Sequence, residues 1–395
     1  MIKHPFLFVV LWLCSAAAFA QQGAPDGEWP TYGGDLGHTR YSPLEQINAE
    51  NFSDLEVAWR FKTDNLGPSP EYRFQATPLV VNGVMYTTGG SRRAVVALDA
   101  RTGELLWKYA LNEGARAANA PRQLSGRGLA LWQDGEDTRI IYVTPGYQMI
   151  ALDGSTGRPV QSFGVEGIVD LKQHADQMID LETGEIGLHS TPIVAKDVVI
   201  IGAAHRTGGN PRSRENVKGY VRGFDVRTGE RLWIFHTVPM PGEYGYESWQ
   251  DGSASYTGNT GVWAQISVDL ELETVYLPVE AATGDYFGAN RPGDNLFAES
   301  LLAVDLYTGE RKWHYQFVHH GIWDHDIPCA PILLDIIVDG QLRKAVAQPT
   351  KQAFLYVFDR ITGVPIWPIV ERSVGVGDVP GEWYSPTQPR PRDEF

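Results

Sequence analysis

One eleven-residue pattern limits what this chain can fold into. Ala97, Asp99, Thr102, Gly103 and Trp107 define it as Ala-x-Asp-x-x-Thr-Gly-x-x-x-Trp. It recurs with Asp225, Thr228, Gly229 and Trp233, with Asp305, Thr308, Gly309 and Trp313, and with Asp359, Thr362, Gly363 and Trp367. A degenerate copy keeps Asp153, Thr156 and Gly157 but has Gln161 in place of the Trp, and a fainter one ends at Trp59. Each copy reads as a hairpin: an apolar strand ends at the Asp, whose carboxylate caps the turn, Thr-Gly supplies the positive-φ position, and a second strand leaves through the Trp. Further strands with a Pro near their start precede several copies, at Thr77-Pro78 and Thr191-Pro192. The aspartates lie 54, 72, 80 and 54 residues apart, room for about four short strands per copy. Four antiparallel strands repeated radially predict an all-β fold, a β-propeller, with little helix and with the repeat Trp residues packed between neighbouring sheets.

Composition supports that reading and narrows the setting. The 395 residues include 42 Gly, 25 Pro and 12 Trp, which supply many turns and one repeatedly placed aromatic. A net charge of −15 argues against a nucleic-acid partner, which needs clustered Lys and Arg. Residues 1–20 read as a secretory signal: Lys3 starts it, an apolar run of nine extends from Phe6 to Cys14, and Ala18-Phe19-Ala20 is a small-x-small cleavage site. The run is too short to span a bilayer, and no later segment is apolar enough, so no transmembrane anchor is expected. Cleavage leaves Cys329 as the one cysteine, which excludes an internal disulfide, a Cys-based metal site and an attached c-type haem. The expectation is an exported, periplasmic protein whose domain spans residues 21–395.

The repeat resembles the tryptophan-docking motif of the pyrroloquinoline quinone (PQQ) dehydrogenases. Other segments carry the same resemblance: Trp29-Pro-Thr-Tyr-Gly-Gly-Asp35, the segment from Arg40 to Leu44, and Leu55-Glu-Val-Ala-Trp59. His319-His320-Gly-Ile-Trp323-Asp324-His-Asp326 is similar to the family's catalytic loop, and Pro349-Thr-Lys351 to its next strand. The lysine and the His-His loop look most like the glucose (aldose) dehydrogenase branch. The resemblance implies an eight-bladed propeller, of which about six repeat positions stand here. It also implies PQQ with Ca²⁺ or Mg²⁺, and oxidation of a sugar hydroxyl, glucose or another aldose to its lactone. Electrons then pass to a separate quinone or cytochrome.

Such chemistry needs a base for the hydroxyl proton, an ortho-quinone to take hydride, and a cation to polarise the quinone. By resemblance Asp324 is the base and a metal ligand, and Lys351 contacts the quinone oxygens. Trp263 lies outside the eleven-residue pattern and matches the tryptophan on which the planar cofactor stacks. Arg127 matches an arginine on a cofactor carboxylate, and Gln75 and Trp132 occupy other cofactor-edge positions. Glu215 and Thr283 are the remaining metal-ligand candidates, oxygen donors suited to a hard cation.

Three departures qualify the branch. The vicinal Cys pair of the alcohol branch is absent, Trp132 stands where the glucose branch has His, and a signal peptide replaces the transmembrane block of the membrane-bound glucose enzymes. A PQQ-dependent alcohol dehydrogenase and a non-catalytic propeller scaffold therefore remain as alternatives. The pattern breaks off after Trp367, so the chain is also expected to be a fragment, inactive or poorly soluble on its own.

Overall fold

In each copy of the repeat the Asp carboxylate organises the turn. Asp99 Oδ1 accepts the backbone N–H of Arg101 and of Thr102 and the Thr102 hydroxyl, at 2.8–3.0 Å, and Gly103 closes the turn at φ 73°. Asp153, Asp225, Asp305 and Asp359 hold their turns in the same way, with Gly157, Gly229, Gly309 and Gly363 at φ 69–76°. Only a residue without Cβ adopts that conformation at no steric cost, so Gly recurs at the same place.

The computed structural model describes residues 23–25, 27–69, 71–123, 128–206 and 213–392. The expected signal peptide and Arg127 lie outside them. Between the turns run antiparallel meanders. The first comprises β1 (Leu79–Val81), β2 (Val84–Gly89), β3 (Ala94–Asp99) and β4 (Leu105–Tyr109). The second comprises β5 (Ala130–Asp134), β6 (Asp137–Val143), β7 (Gln148–Asp153) and β8 (Ile168–Asp170). The third comprises β9 (Ile193–Ala195), β10 (Val198–Ile201), β11 (Val221–Asp225) and β12 (Arg231–Phe235). The fourth comprises β13 (Ser267–Asp269), β14 (Thr274–Pro278), β15 (Ser300–Asp305) and β16 (Arg311–Gln316). A three-stranded sheet of β17 (Ile332–Val338), β18 (Gln341–Pro349) and β19 (Leu355–Asp359) follows, then a hairpin of β20 (Ile369–Ser373) and β21 (Thr387–Pro391). Helix is confined to residues 115–119 and three short 3₁₀ turns among the described residues, and no helix there is long and apolar enough to cross a membrane.

The repeat Trp residues join one sheet to the next. Trp107 donates its indole N–H to Gly154 O at 2.9 Å, and its ring lies where a Cβ on Gly157 would stand. Trp59 treats Ala100 and Gly103 alike, Trp233 treats Leu306 and Gly309, and Trp313 treats Arg360 and Gly363. Each indole thus satisfies the carbonyl directly after the next repeat's Asp and packs on that repeat's Gly, so the faint copy at Trp59 docks as the clear ones do. The Gln161 copy departs, because no indole is available there. Arg139 of β6 donates instead to Val226 O and Arg227 O, at 3.2 and 2.8 Å, while Val169 and Phe163 fill the space beside Gly229.

The first strands of the sheets face a common centre. Residues 29–38 cross it: Trp29 exchanges backbone bonds with Val80, Leu36 O accepts from Val268 N, and Gly37 O from Leu333 N. Pro30, Thr31, Tyr32 and His38 also border residues 129–131 and 191–194. This one segment touches the inner strands of five sheets, which is the geometry of a propeller around its axis.

Candidate active site

The two ends of the sheets differ. The Asp-x-x-Thr-Gly turns lie at one end, and at the other lie the loops between second and third strands, which are long in the third and fourth sheets (202–220 and 279–299). Lys351 stands in the loop from β18 to β19, and Asp324 and Asp326 in the segment between β16 and β17. The structure brings these three together. Lys351 Nζ lies 2.8 Å from Asp324 O, 3.1 Å from Asp324 Oδ1 and 3.1 Å from Asp326 Oδ2. The other Asp326 oxygen accepts Ala281 N–H at 2.8 Å, and Asp326 Oδ2 also accepts the indole N–H of Trp263 at 3.2 Å. Trp263, half-buried, meets His189 edge-on with ring centroids 6.0 Å apart. Asp324 has φ 52°, and its N–H is held by Asp285 O at 3.1 Å. A tight, hydrogen-bonded turn therefore points its carboxyl at the lysine.

Carboxyl groups outnumber the cations here, and the acidities respond. Burial first, then the Asp326 charge, raises the Asp324 carboxyl above its ordinary value against the pull of Lys351. Asp285 is pushed up to about 7 by burial and by Asp326, Asp324 and Glu280. Partial burial lowers the Lys351 ammonium, but Asp326 and Asp324 together outweigh it and leave the lysine above its ordinary value. Burial is the larger cause for both carboxyls, and repulsion among them, with Lys351 opposing, is the second.

The remaining candidates divide. Thr283 Oγ1 donates to Asn259 Oδ1 at 3.1 Å, and the same oxygen accepts Asn216 Nδ2 at 2.8 Å, which ties Thr283 to the neighbour of Glu215. Glu215 itself is exposed. A cleft of about 320 Å³ opens beside Thr283, bordered also by Ser213, Arg214, Thr257, Tyr286 and Phe287. Gln75 is exposed in the segment before β1. Trp132 is not brought to this group: it is buried on β5, bonded through its indole N–H to Asp197 at 3.1 Å, with Arg139 and Arg227 over its ring at 5.2 and 4.7 Å. It belongs to the turn end of the sheets, where it completes the contact that lacks a repeat Trp. The cofactor-edge expectation for Trp132 is corrected accordingly.

Sequence reasoning missed Asp326, the hub joining Lys351, Trp263 and Ala281, and missed Asp285. Both stood beside residues already singled out, but their roles depend on contacts between segments 25 to 63 residues apart. Among the described residues no three His, Cys, Asp or Glu side chains converge as a closed metal cage. The excess carboxylate charge and the hydroxyl of Thr283 suit a hard cation that takes further oxygens from a bound cofactor.

Comparison with known proteins gives this geometry a context. Residues 29–395 match the family model described as PQQ, glucose/ethanol/alcohol dehydrogenase, beta-propeller domain. The chain is 32% identical over 380 residues to the quinoprotein glucose dehydrogenase of Escherichia coli (strain K12), covering 92% of this chain and 46% of the relative. It is 33% identical over 388 residues to the quinate/shikimate dehydrogenase (quinone) of Acinetobacter baylyi, covering 92% and 46%. The solved quinohemoprotein alcohol dehydrogenase of Comamonas testosteroni superposes with a TM-score of 0.72 at 29% identity, covering 93% of this chain and 52% of that one. The chain spans about half the length of the relatives it matches.

Proposed function

Because the chain belongs to the PQQ family of glucose, ethanol and alcohol dehydrogenase β-propellers, we propose that it carries the catalytic residues of an exported quinoprotein dehydrogenase. The preferred substrate class is a sugar hydroxyl. The observation that supports this most directly is the Lys351 contact to both Asp324 and Asp326, with Trp263 anchored on Asp326.

Asp324 takes the proton of the substrate hydroxyl at a carboxylate oxygen. Burial and the neighbouring Asp326 raise its basicity for that task. Lys351 orients the carboxyl through its contact with Asp324 Oδ1 and provides fixed positive charge where an oxygen becomes anionic. Trp263 offers a ring face whose edge is fixed by the bond to Asp326, a platform for a planar cofactor. Thr283, Asp324 and Glu215 would hold Ca²⁺ or a similar hard cation, and Arg127 and Gln75 would hold the cofactor's edge. Bound PQQ supplies the ortho-quinone that accepts hydride, and a separate quinone or cytochrome then removes the electrons. Export through the segment 1–20 places the reaction in the periplasm.

The test is to load the purified protein with PQQ and Ca²⁺ and to follow dye reduction with glucose, then with glycerol, quinate and ethanol, beside Asp324→Asn. The expected result is glucose oxidation that falls about 10²–10⁴-fold in the variant. Turnover of ethanol alone would move the assignment to the alcohol branch. A folded protein that binds no PQQ would overturn the proposal, leaving a propeller scaffold.

A further inference from the structure

The paired histidines that precede the site, His319 and His320, have no part in the chemistry above, yet both are gripped by the same hairpin. His319 exchanges backbone bonds with the Gln388 side chain of β21, and its Nε2 meets Glu371 of β20 at 3.2 Å. His320 Nε2 meets Glu382 Oε1, from the loop 374–386, at 3.2 Å. The His320 and Glu382 side chains are 1% and 2% exposed. Glu382 Oε2 also accepts Gly288 N–H at 2.8 Å, and Trp383 lies edge-on to the His320 ring with centroids 4.8 Å apart. One carboxylate thus ties the hairpin to the loop leading to Asp324 and to the loop containing Asp285.

Donor and acceptor accounting makes this contact unusual. His320 Nδ1 faces Gly293 O at 2.9 Å and Asn295 Oδ1 at 3.2 Å. Both oxygens can only accept, so Nδ1 carries a hydrogen. Nε2 of a neutral imidazole is then an acceptor too, yet it faces a carboxylate oxygen. A second proton must lie on one partner or the other. Arg291 faces the pair from the 283–299 loop, with its guanidinium on Gly321 O and Asn295 Oδ1. Glu299 is buried against Gly321, while Asp285, Asp324 and Asp326 lie farther along the same loops. Burial first, then Arg291, lowers the His320 imidazolium, against the pull of Glu382 and Gly293 O.

We propose that Glu382 is a positioning residue: through one proton shared with His320 it clamps the β20–β21 hairpin onto the loop that carries Asp324. This rests on the dehydrogenase reading for its kinetic consequences but not for the clamp itself. Glu382→Gln removes the need for the proton, because an amide N–H donates to Nε2 while its oxygen keeps the Gly288 contact, at the cost of the Trp383 N–H bond that Oε1 accepts at 3.0 Å. Glu382→Ala removes the clamp.

Hydrogen exchange of the protein without cofactor tests the contact directly. In the wild type, protection of segments 284–288 and 319–326, corrected for intrinsic rates, falls as pH rises and the shared proton leaves. Glu382→Ala exchanges there about 10-fold faster at low pH, a gap that closes as pH rises, and Glu382→Gln keeps the protection and flattens its pH dependence, leaving the part due to Asp285. In the holoenzyme, Glu382→Ala lowers kcat about 10-fold with KM within about 2-fold, and Glu382→Gln recovers most of that loss. Unchanged protection in Glu382→Ala, or wild-type pH dependence retained in Glu382→Gln, overturns the clamp. A change in KM alone overturns the positioning role. If Glu382→Ala does not fold, the comparison of wild type with Glu382→Gln decides. A holoenzyme inactive on every substrate would sink the dehydrogenase reading while leaving the exchange result to judge the clamp.

Discussion

Glu299 shows how much a single buried side chain can contribute to pH dependence. It is fully buried, and burial raises its carboxyl to about 8, with Arg291 opposing and Asp326 and Asp324 adding to the rise. In the unfolded chain the same group ionises near its ordinary value of 4.5. The folded state therefore holds the proton more tightly, and the stability this confers is complete below about 4.5 and is lost as pH rises toward 8. Glu299→Gln should flatten that slope and raise the melting temperature at pH 8, read by thermal unfolding across pH. An unchanged slope would show that the carboxyl is ionised in the folded protein. His38 carries the opposite sign. Burial first, then Arg40, lowers its imidazole to about 4 from 6.5, so the stability that depends on the neutral ring is lost as pH falls from about 6.5 through 4. His38→Gln should reduce that acid loss in the same measurement. Neither shift was visible in the sequence, where Glu299 and His38 carry no pattern, because desolvation is a property of what surrounds a group.

At the scale of the element, the repeat was almost fully legible. Asp, Thr and Gly specify their turn through contacts within four residues, so the pattern in the chain is the pattern in space. The Trp is different, since its partner sits in the next repeat. Trp313 is 7% exposed, bonds Arg360 O and packs against Gly363. Trp313→Ala should destabilise the protein by about 3–5 kcal/mol. Trp313→Phe, which removes the indole N–H and part of the ring, should cost less, and denaturant unfolding would separate the two. Gly157→Ala should be harmful for two reasons: φ is 69°, and its Cβ would stand 2.4 Å from Trp107. At the Gln161 copy the local signal failed. Arg139 occupies the carbonyl that an indole would have taken and Val169 the space beside Gly229, so Gln161→Trp should give no gain in melting temperature. A gain would mean that the junction can still accept the repeat contact.

Across the whole molecule, the segment 29–38 and the clamp at Glu382 show a common principle. Each joins elements far apart in the chain, and each uses backbone carbonyls and buried polar groups that look ordinary in sequence. His38 lies against Ser267, whose hydroxyl bonds Pro331 O, so the N-terminal segment also ties the fourth sheet to the fifth. Weakening that tie should therefore loosen several sheets together, and the acid loss predicted for His38 should appear as one cooperative transition. By itself the sequence determined the sheet unit, its turn chemistry, the place of the Trp between neighbouring sheets and the family, because these rest on contacts within one repeat or between successive repeats. It also marked Asp324, Lys351 and Trp263 as residues that the propeller repeat did not explain. Tertiary structure decided that Asp326 joins those three, that Trp132 serves packing, and that the two histidines hold the loop. Those roles depend on burial and on distances between remote segments, which the order of residues along a chain does not contain.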